Sequence, residues 1–219
     1  MERIHLKKNN SHDSNEAEHP HFIGSWDIKN ESACKDIINF FEENTSLQNK
    51  GNTGGGENSN IKKTTDITVY PNDLKNKKFK CFVAYIAELH KCFIDYQTQW
   101  PFLKEIINGV DVGSFNVQKY SKGDHYSKIH TERSGLHSLH RVFAWMTYLN
   151  NVEDGGTTIF SHYNMKIKPE ICKTLIWPAE WTHAHSGEIL NSGVKYIITG
   201  WMHFPRIIQN KVKTYSSST

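Results

Sequence analysis

GSFNVQKY at residues 113–120, RVFAWMTYLN at 141–150, TTIFSHYN at 157–164, KTLIWPA at 173–179 and KYIITGWMHF at 195–204 decide the fold. Each run is short and rich in β-branched and aromatic residues, and Gly, Pro, Asn or Asp punctuates the spaces between them. Several such runs in close succession predict an all-β sandwich or barrel. The β character sets in at residue 112. Upstream, the apolar spacing turns helical. Cys34, Ile37, Ile38 and Phe41 predict one helix, capped by Asn30 or Ser32. Phe79, Phe82, Val83, Ile86, Leu89, His90, Phe93 and Tyr96 predict a longer one that runs to about Trp100, where Pro101 stops it.

The expected fold is therefore mainly β with flanking helices (α+β), the helices buttressing a C-terminal β core. Its expected divisions are a flexible leader over 1–20, a helical N-terminal part over 21–111, the β core over 112–206 and a tail over 207–219. The compact part begins at His21-Phe22-Ile23-Gly24-Ser25-Trp26. QNKGNTGGGENSN (48–60) has no periodicity and reads as a surface loop, and Lys62-Lys63-Thr64-Thr65-Asp66 as a solvated charge cluster, with a strand edge near the active-site mouth as the alternative.

Composition narrows the function. At 219 residues, with 37% apolar and 12% aromatic residues, the chain suits one globular domain. A formal charge of +3, scattered along the chain, argues against a nucleic acid or a membrane surface as partner. The four cysteines (Cys34, Cys81, Cys92, Cys172) form no CxxC pair, which fits reduced thiols in the cytoplasm. No apolar run is long enough to span a membrane, and the polar start does not read as a signal peptide. The 13 histidines invite a metal hypothesis.

That hypothesis has a focus in Tyr120-Ser-Lys-Gly123-Asp-His-Tyr126-Ser-Lys-Ile-His130-Thr-Glu132. In extended backbone, residues i and i+2 project to one face, so His130 and Glu132 can grip one ion. A third ligand would come from Trp181-Thr-His183-Ala-His185, where both histidines are candidates. Two imidazoles and one carboxylate leave open positions, the arrangement of non-haem Fe(II) oxygenases. An isolated HxE is weak evidence for this. The remaining features have plain readings: Gly155-Gly156 is a turn, Trp145, Trp177 and Trp181 pack, and His125, His137 and His140 are structural or face a substrate. Arg133 and Arg141 are surface charges, or Arg141 touches substrate or carboxylate.

From Phe115 to Phe204 the ordered set resembles the prolyl 4-hydroxylase-like branch of the 2-oxoglutarate/Fe(II) dioxygenases, especially versions from marine phages and bacteria. The set comprises Tyr120 and Gly123, His130 and Glu132, Arg141, Tyr148-Leu149-Asn150, Gly155-Gly156-Thr157-Thr158-Ile159-Phe160, Pro178, His185, Lys195 and Trp201. The resemblance implies a double-stranded β-helix (jelly-roll) holding Fe(II), with 2-oxoglutarate as cosubstrate, O₂ as oxidant and ascorbate as an auxiliary reductant. It also selects His185, since the family's cosubstrate-binding basic residue follows the last ligand by nine or ten positions, as Lys195 does. His130, Glu132 and His185 are then the iron ligands. Lys195 pairs with the distal carboxylate, Tyr148 donates its hydroxyl to that carboxylate, and Tyr120 and Trp201 border the cosubstrate.

The family usually has aspartate where this chain has Glu132, so the carboxylate reaches further by about 1.5 Å, one C–C bond. The reaction implied is hydroxylation of an unactivated C–H with decarboxylation of 2-oxoglutarate to succinate, on a prolyl residue of a peptide or protein. The same chemistry on a free amino acid or nucleobase, and a metal-binding jelly-roll module without turnover, are the competing readings.

Overall fold

A computed structural model of the chain describes residues 1–7, 20–107 and 109–205. Among the described residues, three α-helices precede the β core and two sheets build it. The strands are β1 (Glu2–Arg3), β2 (Gly24–Asp27), β3 (Asn49–Lys50), β4 (Lys62–Lys63), β5 (Thr65–Val69), β6 (Asp111–Ser121), β7 (His125–His130), β8 (Arg141–Tyr148), β9 (Thr158–Phe160), β10 (Met165–Ile167), β11 (Lys173–Pro178), β12 (His185–Gly187) and β13 (Val194–His203). The larger sheet runs β1-β2-β11-β8-β13-β6-β5-β3 and the smaller β10-β9-β12-β7-β4, with antiparallel neighbours throughout. This is the expected mainly β double-stranded β-helix with helices on one side.

The central strand β8 shows why the sequence folds this way. Successive side chains point to opposite faces. Phe143 and Trp145 join the apolar layer under the helices, while Ala144, Met146 and Tyr148 face the second sheet. Both faces are covered, so the strand reads as a nearly continuous apolar run. The inner layer is completed by Leu175 and Trp177 of β11, Ile197 of β13, Tyr120 of β6, and Phe160, Met165 and Ile167 of the smaller sheet.

Helix α1 (Glu31–Glu43) starts at Asn30, whose side chain accepts the Ala33 N–H at 3.2 Å, while Ser32 donates to that same Asn30 oxygen. Helix α2 (Lys80–Gln99) buries Phe82, Tyr85, Leu89, Cys92, Phe93 and Tyr96 against the larger sheet. Val83, predicted on that stripe, is 51% exposed, because the buried face is centred on Phe82 and Tyr85. Pro101 separates α2 from the short helix α3 (Phe102–Ile106), at whose N-terminus its missing N–H is not needed.

The N-terminal half is less helical than the sequence suggests, since β2 and β5 extend the larger sheet on both sides. Glu2–Arg3 pairs with β2 and Arg3 forks onto Asp95, so the start of the predicted leader is structured. Residues 8–19 of that leader and the tail at 207–219 lie outside the described residues. Asn49–Lys50, inside the predicted loop, adds an edge strand. The predicted charge cluster at 62–66 is not solvated. Lys62 and Asp66 are buried and paired at 2.6 Å, and Thr64 and Gln118 also donate to Asp66.

Candidate active site

Strands β7 and β12 lie side by side with His130 directly opposite His185, and Glu132 follows two residues after the end of β7. Glu132 Oε1 lies 3.3 Å from His185 Nε2 and 3.9 Å from His130 Nε2. One ligand atom from each of the three residues lies within 4.8 Å of the others. The opposite ring nitrogens are occupied: His130 Nδ1 bonds to the Lys128 carbonyl and His185 Nδ1 to the His183 carbonyl, each at 2.9 Å. A carbonyl only accepts, so each Nδ1 carries the proton and each Nε2 turns its lone pair toward Glu132.

Aromatic neighbours fix the rings. Tyr126 stacks on His130 at 3.9 Å and 11°, and Trp177 meets His185 edge-on at 5.1 Å. Burial, aided by the neighbouring His185, pushes His130 down to about 4. Burial alone would raise the Glu132 carboxyl. The polar contacts of His185 and His130 and the Trp201 indole N–H outweigh it and hold the group at about 2. Neutral imidazole beside an ionised carboxylate is what a divalent cation requires of its ligands. The donor set of two nitrogens and one carboxylate oxygen therefore fits Fe(II).

His183, the rival ligand, is directed elsewhere. It closes a single 3₁₀ turn (Trp181–His183), is buried, and places Nε2 2.9 Å from the His21 carbonyl and Nδ1 2.9 Å from Thr182 Oγ1. Both of its nitrogens are used away from Glu132.

On β13, Lys195 and Ile197 alternate inward. Lys195 is 3% exposed; its Nζ donates to the Gly156 carbonyl at 2.9 Å and lies 4.1 Å from the Tyr120 ring centre. Burial depresses it to about 7, against a small opposing effect of Glu188. Tyr148 and Tyr120 are buried in the same layer. The Tyr148 hydroxyl donates to Thr158 Oγ1 at 2.6 Å, and that of Tyr120 to Gln118 Oε1 at 2.9 Å. Both hydroxyls thus hold protein partners, a feature the sequence did not disclose.

Trp201, expected to border the cosubstrate, donates its indole N–H to Glu132 Oε2 at 2.7 Å. Arg141 is not a surface charge: it stacks on Trp201 and donates to the Glu132 carbonyl. Gly155-Gly156 is a turn with φ of +78° and +67°, as expected, but it also supplies the carbonyl that meets Lys195. Arg133 pairs with Glu180, and His140 contacts His203 edge-on.

Residues 115–203, from β6 to β13, match the sequence model of the 2OG-Fe(II) oxygenase superfamily. This β core belongs to that superfamily. No curated protein sequence matches the oxygenase. Among solved structures it resembles a Pseudomonas putida prolyl-4-hydroxylase (TM-score 0.65, 14% identity, 84% of this chain and 94% of that one). It also resembles the viral collagen prolyl hydroxylase of Paramecium Bursaria Chlorella virus-1 (0.60, 16%, 84% and 97%). A third likeness is to a Trichoplax adhaerens prolyl hydroxylase solved with a hypoxia inducible factor peptide fragment (0.64, 14%, 84% and 84%). At these identities the shared feature is the fold. The superfamily implies Fe(II), 2-oxoglutarate and O₂ as the oxygenase's reaction partners. Among the described residues, no helix is long and apolar enough to cross a membrane.

Proposed function

We propose that the oxygenase hydroxylates an unactivated C–H of a prolyl residue in a peptide or protein, and that His130, Glu132 and His185 hold its Fe(II). The observation that carries this reading is the convergence of two Nε2 lone pairs and Glu132 Oε1 in the same inner layer as the buried ammonium of Lys195. In this reading Lys195 exchanges its weak bond to the Gly156 carbonyl for the distal carboxylate of 2-oxoglutarate, a charge-assisted contact that offsets desolvation of both groups. Tyr120 forms the wall under the ammonium. Tyr148 turns from Thr158 toward the same carboxylate or keeps the strand in place for it. Bound iron with 2-oxoglutarate supplies the oxidising power, with ascorbate as an external reductant for iron that has become oxidised. The protein's part is to orient, to exclude water and to keep the ligands in the right protonation state.

The prolyl substrate is supported by the shared fold with prolyl hydroxylases, one of them solved with a peptide. Exposed Trp181, four residues before His185, gives an extended chain an apolar surface to lie on. The test is incubation with Fe(II), 2-oxoglutarate, O₂ and a proline-containing peptide library, read by mass spectrometry for gain of one oxygen and by succinate release. Succinate without any oxidised peptide would point to a free amino acid or nucleobase as substrate. No succinate at all would favour a metal-binding module.

A further inference from the structure

A glutamate reaches about 1.5 Å further than an aspartate and gains a rotatable bond. Left free, such a carboxylate can turn and offer a cation both of its oxygens. The structure restrains Glu132 at both ends. Its Oε2 accepts the indole N–H of Trp201 at 2.7 Å, while Oε1 faces His185 and His130. Its main-chain carbonyl accepts Arg141 Nη1 at 2.8 Å. These two donors also support each other, because the Arg141 guanidinium lies 3.6 Å from the centre of the indole ring. Trp201 pairs with Ala144 and His203 with Arg141, so the stacked pair rises from two adjacent central strands of the larger sheet, β13 and β8. Glu132 itself lies beyond the end of β7, outside any strand. The frame is rigid where the ligand is not.

We propose that Trp201, backed by Arg141, is the positioning residue that keeps Glu132 a one-oxygen ligand by holding Oε2 away from the cation. This rests on the reading of His130, Glu132 and His185 as the metal site. Its purpose follows from counting positions. A second carboxylate oxygen on the metal would take a place that the chelating cosubstrate needs.

The test is titration of the metal-free protein with Co(II), reading affinity and the visible ligand-field bands, for wild type, W201F, E132D, the double variant and H185A. Wild type should take one equivalent and H185A should lose it. W201F should give weaker Co(II) bands of higher coordination number, because Oε2 is then released to bind the cation, and should shift Co(II) affinity by about tenfold or more. In the E132D background, where the shorter carboxylate falls short of the indole, adding W201F should change affinity less than about twofold. Equal shifts in both backgrounds, or a W201F whose bands keep the wild-type coordination number, overturn the proposal. H185A binding like wild type overturns the site itself. A second measurement avoids the tryptophan substitution: in ¹⁵N-tryptophan-labelled, Zn(II)-loaded wild type, one downfield, slowly exchanging indole proton should revert to an ordinary indole shift in E132D. If no indole resonance responds to E132D, the proposal fails.

Discussion

His130 and His185 are direct cross-strand partners on β7 and β12, with ring centres 4.4 Å apart. In an antiparallel pair, facing residues send their side chains to the same side of the sheet, so the sheet itself sets the spacing between the two imidazoles. The proposed metal site is thus built on register, and only Glu132 is left to be positioned by other means. His183, two residues before His185, leaves the ladder in a tight turn and packs against the N-terminal segment at His21.

The two histidines should therefore separate cleanly on substitution. His185→Ala should abolish stoichiometric binding of Mn(II) or Co(II) in calorimetry. His183→Ala should leave stoichiometry intact and lower stability in urea unfolding by about 1–3 kcal/mol, the cost of stranding a buried polar partner. Loss of metal in His183→Ala with the fold intact would reverse the assignment.

Much of this was readable from the chain. The β-branched and aromatic runs RVFAWMTYLN and KYIITGWMHF mark the two central strands, and His130-x-Glu132 marks two of the three converging groups. Residue patterns alone left His183 and His185 open, and the spacing to Lys195 chose between them through the family resemblance. What stayed hidden depends on contacts distant in sequence. Lys62 looks like a surface lysine until β4 and β5 fold it onto Asp66, beside Gln118 of β6. The hydroxyl of Tyr148 is committed to Thr158 only because β8 and β9 lie in facing sheets.

The buried Lys62–Asp66 pair offers a stability test. Asp66→Ala strands a buried ammonium and should cost about 3–5 kcal/mol. The double change Lys62→Met with Asp66→Leu should recover most of that loss, since it removes both charges together. A single variant within about 0.5 kcal/mol of wild type would show the pair to be solvated after all.

Lys195 makes binding of 2-oxoglutarate proton-linked. Burial lowers the ligand-free ammonium to about 7, whereas an anionic carboxylate beside it favours the charged form. Above about pH 7 the cosubstrate must bring a proton, so affinity should fall roughly tenfold per pH unit. Calorimetry at about pH 8 in buffers of different ionisation enthalpy should show uptake of close to one proton. The sign for stability also follows. The unfolded lysine keeps its proton to near 10.5 and the folded one gives it up near 7, so between these values the unfolded state binds more protons. This group's contribution therefore makes stability rise with pH across that window, and Lys195→Met should stabilise most below it. Zero proton uptake would contradict the assigned partner.

Gly156→Ala should damage the cosubstrate site selectively. At φ of +67° an alanine is strained by about 1–2 kcal/mol, and its Cβ would lie 3.3 Å from Lys195 Cδ and 3.2 Å from Leu190 Cδ1. Affinity for 2-oxoglutarate should drop at least about tenfold while Mn(II) binding holds. An equal loss of both would mean that the turn supports the whole core.

His130, Glu132, His185 and the buried Lys195 ammonium are expected to act together on one bound 2-oxoglutarate. Anaerobic calorimetry of 2-oxoglutarate binding, with and without Mn(II), tests it most directly. Tight one-to-one binding that needs the metal and vanishes in His185→Ala and in Lys195→Met is expected. Equal binding without metal, or binding that survives both substitutions, would contradict it.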